Sequence, residues 1–188
     1  TLTNFSQENI LMISHKAKNM SSPRHIHKSQ HLGQSGERRF YDSCKVLGKD
    51  VKKTSKADDM GHVDFVVDSQ TYDVKGLKDS TKEGFILLEL KNVQGKKGWC
   101  NDEEKPDWIA FDFGAFFACF KNSDLYKASQ KLCDLSDTVS KAKDCLYKGY
   151  TRRGREDLMT MITLQDALNN CEHMFVPYKE YSEPMDLL

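Results

Sequence analysis

Two short strand-like segments, Tyr72-Asp73-Val74-Lys75-Gly76 and Leu88-Glu89-Leu90-Lys91-Asn92, each place an acid two residues before a lysine, and His62-Val63-Asp64-Phe65-Val66-Val67 precedes them both. Residues two apart on a strand project to one side, so Asp73 and Lys75 share a face while Tyr72 and Val74 share the other. The segment from His62 to Lys75 reads as a hairpin turning through Asp68-Ser69-Gln70-Thr71. Pairing Val67 with Tyr72 sets Val66 opposite Asp73 and Asp64 opposite Lys75. Asp64, Asp73 and Lys75 then converge, and Phe65, Val67, Tyr72 and Val74 line the reverse side, where their burial resists a one-residue slip.

Two carboxylates on neighbouring strands repel, and a hard cation between them relieves the repulsion. Oxygen ligands of this kind select Mg²⁺ or Mn²⁺ over zinc. A lysine beside them can orient a water and steady charge growing on a phosphate. Glu89 and Lys91 repeat the spacing on the next strand, where they complete the metal shell or supply a second lysine; the sequence leaves open which lysine acts. A single acid-x-lysine pair has a plain explanation, since cross-strand opposite charges stabilise a sheet by roughly 0.2 to 1 kcal/mol. Two such pairs on consecutive strands, with a facing aspartate, favour a site.

These residues give the resemblance its name. Asp64, a short hairpin and then Asp73-Val74-Lys75 are similar to the signature of the PD-(D/E)XK nuclease superfamily, although His62, not a proline, stands two before Asp64. The run Glu89-Leu90-Lys91-Asn92-Val93-Gln94-Gly95-Lys96-Lys97-Gly98-Trp99, followed by Pro106-Asp107-Trp108-Ile109-Ala110-Phe111, also resembles small nuclease-like proteins of phage and viral origin. The resemblance spans about residues 34–120. It implies an α/β fold of restriction-endonuclease type, a central mixed β-sheet flanked by helices, and a divalent-metal-dependent endonuclease hydrolysing phosphodiester bonds in DNA. It further implies Asp64 and Asp73 as metal ligands, Lys75 as the lysine that serves the attacking water and Glu37 as an additional acid, beside Glu89 and Lys91 from the spacing; a homodimer is open to such a protein. An alternative alignment takes Asp73 as the first acid and Glu89-Leu90-Lys91 as the second motif. The other functional class is a catalytically silent nuclease-fold protein that binds nucleic acid or a protein partner.

The 188 residues, 38% hydrophobic and 30% charged, suit one α/β domain at residues 34–188 preceded by a basic arm at residues 1–33. Net charge is zero, yet residues 1–56 carry eleven Lys/Arg against four Asp/Glu, an asymmetry that a phosphate-backbone binder can use. Apolar runs of membrane-spanning length are missing, and the chain starts at Thr1, so a soluble and trimmed protein is expected, and the scattered cysteines make an intracellular one the default. Six cysteines without a C-x-x-C pair read as reduced thiols, not a zinc module, and His25, His27 and His31 lie in a polar stretch without metal.

Along the chain, residues 6–20 suggest a first helix and 20–34 a linker. Ser35 is expected to cap a helix from Gly36 to Leu47, with Phe40, Cys44 and Leu47 as its apolar stripe and Gly48 as its stop. Strands are expected at 62–67, 71–77, 84–93 and 108–113, a helical stretch at 124–144, strands at 146–150 and 157–164, and a helix at 166–171. Lys96, Lys97 and Trp99, in the loop after Lys91, are candidates to grip a phosphate and stack on a base. Arg152, Arg153 and Arg155 around Gly154 form a candidate backbone clamp.

Overall fold

The computed structural model describes residues 28–55, 62–101 and 106–179, with side chains from Ser35 onward. The proposed helix at 6–20 and most of the basic arm lie outside the described residues. The chain is an α/β protein of two mixed β-sheets flanked by a few helices. Helix α1 (Lys28–Val46) leads into β1 (Val51–Lys53), β2 (Phe65–Val67) and β3 (Gln70–Lys75). One helical turn, α2 (Asp79–Lys82), precedes β4 (Phe85–Lys91), and then come β5 (Trp108–Asp112), β6 (Phe116–Lys121) and α3 (Asn122–Leu132). The remaining elements are β7 (Asp134–Val139), β8 (Lys148–Tyr150), β9 (Leu158–Thr163), α4 (Leu164–Asn170) and β10 (His173–Pro177). The larger sheet runs β1-β2-β3-β5-β6-β10, and the smaller runs β4-β9-β8-β7.

Alternation along the strands builds two cores. Phe65, Val67, Tyr72, Val74, Trp108, Ala110 and Phe117 point toward α1, where the Phe40 ring meets Phe65, Tyr72 and Phe117 at centroid distances of 5.8, 5.5 and 5.2 Å. Ile109, Phe111, Ala118 and Phe120 point the other way and pack with Ile86, Leu88, Leu90 and Ile162 of the smaller sheet. The protein is therefore layered: helix, larger sheet, smaller sheet.

Several expectations shift. Helix α1 starts before Ser35, which instead accepts a hydrogen bond from Arg39 at 3.1 Å, and Leu47 lies exposed beyond the helix, although Phe40 and Cys44 are buried. Gly48 does end the helix, in a left-handed conformation. The hairpin turns in two residues, not four: Asp68 and Ser69 take φ of 47° and 71°, so Val67 faces Gln70 and Phe65 faces Tyr72. The strain of positive φ at non-glycine residues is offset by anchoring, since the Asp68 carboxylate accepts from Lys49 at 2.7 Å and from the Asp50 amide at 3.0 Å. The segment 84–93 is a strand, but it pairs with β9 in the smaller sheet, while β3 takes β5 as its parallel neighbour. The stretch 124–144 breaks at Cys133 into α3 and an edge strand, β7.

Gly98 marks the closest approach between the loop after β4 and the strand itself. A Cβ there would lie 2.2 Å from the carbonyl oxygen of Glu89, and the Gly98 amide donates to Leu90 O at 3.0 Å. Backbone cannot yield as a side-chain tip does, so Gly98→Ala is expected to destabilise the fold by roughly 2 to 4 kcal/mol. Urea denaturation of both proteins measures this; an unchanged midpoint would show that the loop is free to shift.

Candidate functional site

Asp64 lies just before β2, with its amide donating to Tyr72 O at 2.8 Å. Its carboxylate reaches across the hairpin to accept from the Val74 amide at 2.7 Å. These two bonds bracket Asp73, so the acids converge as the sequence suggested. The two-residue difference in register preserves the face, because the strand period is two. Asp73 sits beside Ile109 and Lys75 beside Phe111, which turns both side chains toward the inter-sheet core, and Asp73 is only 4% exposed.

This burial sets the electrostatics. Asp64 is pushed up to about 7, first by burial and next by the charge of Asp73; the Val74 amide and Lys75 oppose the shift, and Glu37 adds to it. Lys75 Nζ lies 2.5 Å from Asp73 Oδ2 and 4.4 Å from the centroid of the Trp99 ring. The Lys75–Asp73 contact is ionic without hydrogen-bond alignment, and no other described group donates to the buried Asp73 Oδ2. Glu37, on α1, is in electrostatic range of Asp64 and accepts from Lys53 Nζ at 2.8 Å.

Helix α1 is seated on the site by two devices. Gly36 packs against Gly76, one residue past Lys75, so closely that a Cβ on Gly36 would stand 3.0 Å from Gly76 Cα. Arg39 reaches the fully buried Asp112 at 2.5 Å and the Tyr178 hydroxyl at 3.1 Å, and Tyr178 donates to the other oxygen of Asp112. Burial works against the Arg39 charge, but Asp112 and Tyr178 outweigh it and keep the guanidinium protonated.

Other candidates are placed elsewhere. Glu89 and Lys91 do not join Asp64 and Asp73: they stand on the smaller sheet and alternate away from the inward Ile86, Leu88 and Leu90. An acid-x-lysine spacing fixes a shared face but not the sheet that carries it. Trp99, expected to stack on a base, is buried with its ring edge-on to Phe111 at 6.0 Å. Arg152 is not part of a free clamp; its amide donates to the buried Asp157 at 2.9 Å and its guanidinium pairs with the same carboxylate. Arg153 and Arg155 are exposed, as are Lys96 and Lys97. Their two loops adjoin, because Lys91 pairs with Leu158 and Gly95 packs against Glu156.

Lys78, which the sequence reading passed over, is exposed at the rim; the surrounding protein and then Lys75 draw its pKa down, against the pull of Glu89 and Asp73. Its signal was position alone, three residues past Lys75.

The donor set suits a hard divalent ion: two adjacent carboxylates, one with a buried oxygen that has no hydrogen bond. Among the described residues no three His, Cys, Asp or Glu side chains are grouped to hold a metal, so a bound ion would rest on Asp64 and Asp73. All six cysteines are free thiols and five are buried. Among the described residues no helix is long and apolar enough to cross a membrane. Comparison with protein-family models, with curated proteins and with solved structures gives no match.

Proposed function

We propose that this protein is a divalent-metal-dependent endonuclease that hydrolyses phosphodiester bonds in DNA. The observation that carries the reading is the convergence of Asp64 and Asp73, the Asp64 carboxylate accepting from the Val74 amide beside Asp73, with the Lys75 ammonium in contact with Asp73. The order of helix α1, meander β1-β2-β3 and parallel β5 supports a restriction-endonuclease-like fold. Preference for DNA follows from the superfamily resemblance alone.

Asp64 and Asp73 would hold Mg²⁺ or Mn²⁺, which when bound polarises the phosphate and offsets charge on the leaving oxygen. Lys75 directs its ammonium protons to the attacking water and to a phosphate oxygen, and in this arrangement it is Lys75, not the exposed Lys91, that touches an acid of the site. Glu37 adds negative charge behind Asp64. Lys96, Lys97, Arg153 and Arg155 present cations on two adjoining loops, a surface suited to a phosphate backbone.

Incubation of the purified protein with duplex, branched and single-stranded DNA and with RNA is expected to give Mn²⁺-dependent DNA cleavage that chelator abolishes. Intact DNA in every Mn²⁺ reaction would sink the proposal. The ion pair already formed by Asp73 and the absence of a three-ligand group among the described residues favour a second reading, a silent nuclease-like scaffold. A calorimetric Mn²⁺ titration separates the two, since a silent scaffold shows no binding that Asp73→Asn removes.

A further inference from the structure

We propose that Trp99 is a positioning residue of this site: its indole carries the Lys75 ammonium, so that the lysine stays beside Asp73 both when paired with that carboxylate and when a divalent ion takes its place. The inference rests on the reading of Asp64, Asp73 and Lys75 given above.

A lysine ammonium on a four-carbon stem samples many positions, and catalysis needs one. Here two restraints meet on the same nitrogen: Asp73 Oδ2 at 2.5 Å and the face of Trp99 at 4.4 Å. The ionic restraint is the one that a metal ion on Asp73 removes, because the ion and the ammonium repel and compete for the same oxygen. The aromatic restraint survives, since a ring quadrupole attracts a cation without carrying net charge. An aliphatic side chain at residue 99 would leave the displaced ammonium to solvent.

The chain fixes the ring for this task from several sides. Gly98 donates to Leu90 O and Cys100 to Glu89 O, both at 3.0 Å, which fastens the residues before and after Trp99 to β4. The Trp99 carbonyl accepts from the side-chain Nδ2 of the buried Asn122 at 3.0 Å. The ring also meets Phe111 at a centroid distance of 6.0 Å, the β5 residue in register with Lys75. The loop after β4 therefore delivers a ring that meets both Lys75 and Phe111.

The test uses a Trp108→Phe background. The chain has two tryptophans, and the buried Trp108 Nε1 has no hydrogen-bond partner to lose, so this change leaves Trp99 as the only indole. Adding Lys75→Met is expected to shift Trp99 emission, and Mg²⁺ is expected to change emission in the background protein, with the midpoint found by calorimetry, but not in the Lys75→Met protein. In the otherwise native chain, Trp99→Leu is expected to lower kcat about tenfold or more while KM and Mg²⁺ affinity stay within about threefold, and Trp99→Phe to restore most of the loss. Emission indifferent to Lys75→Met overturns the proposal. So does a Trp99→Leu protein with kcat within about twofold of the parent, or a Trp99→Phe protein of equal melting temperature that is no better than Trp99→Leu. If the parent cleaves no nucleic acid, it is the proposed function that fails, and the emission measurements alone decide whether Trp99 holds Lys75.

Discussion

Asp73→Asn is expected to lower divalent-dependent cleavage by about a thousandfold while the protein stays folded. Asparagine keeps the volume of a side chain that is only 4% exposed, so no cavity opens. Two electrostatic consequences oppose one another. Asp64 loses the like charge that helps to raise its pKa, which stabilises its ionised form; Lys75 loses its counter-ion but keeps the Trp99 ring. Each effect is on the order of 1 to 2 kcal/mol, so the melting temperature should stay within about 4 °C of the parent. Rates with Mn²⁺ and thermal melts of both proteins check this. A variant that retains a tenth of the parent rate would remove Asp73 from the site, and one that melts far below the parent would make it structural.

Asp64→Asn is expected to stabilise the metal-free protein by an amount that grows as pH rises from about 4 to about 7 and is constant above. Asp64 is pushed up to about 7 in the folded chain, by burial first and Asp73 second, so the folded state holds this proton more tightly than the unfolded state does. The stability associated with the protonated acid is fully present below the ordinary carboxylate range. It is lost progressively as pH rises toward 7, and the deficit is constant above that. Asparagine mimics the protonated side chain and retains an oxygen for the Val74 amide at 2.7 Å. The gain above pH 7 is on the order of 2 to 4 kcal/mol and fades toward pH 4. With Mg²⁺ the order reverses, because only the carboxylate gains from binding the ion. Urea denaturation between pH 5 and 8, with chelator and with Mg²⁺, measures both signs. A pH-independent difference would mean that Asp64 titrates normally.

The acid-lysine face was legible because its logic is local. An even slip in pairing keeps Asp64, Asp73 and Lys75 together, so misjudging the turn at Asp68 and Ser69 did no harm to the site. The turn itself was obscured because neither residue is glycine, and its anchor is the distant pair Lys49 and Asp50. Strand β1, with only Val51-Lys52-Lys53, is too short to show a period, and the segment at 84–93 was assigned its place in the wrong sheet. Pairing partners of strands are a tertiary matter that alternation does not encode. Trp99 was misjudged for a similar reason: two glycines and two lysines look like an exposed loop, whereas Gly98 is there to let backbone touch backbone. Asp157, five residues past Arg152, shows that an arginine-rich turn can spend one of its cations on its own closure.

The clamp on α1 draws its phenol from Tyr178, 139 residues after Arg39. A chain emerging from the ribosome therefore displays its acids well before it owns the hydroxyl that completes the seat of the helix behind them. Until that residue has cleared the exit tunnel, Asp112 lacks one of its partners and α1 is held by packing and by the Arg39–Asp112 pair. The seating of α1 behind the acidic edge is thus completed only late in synthesis.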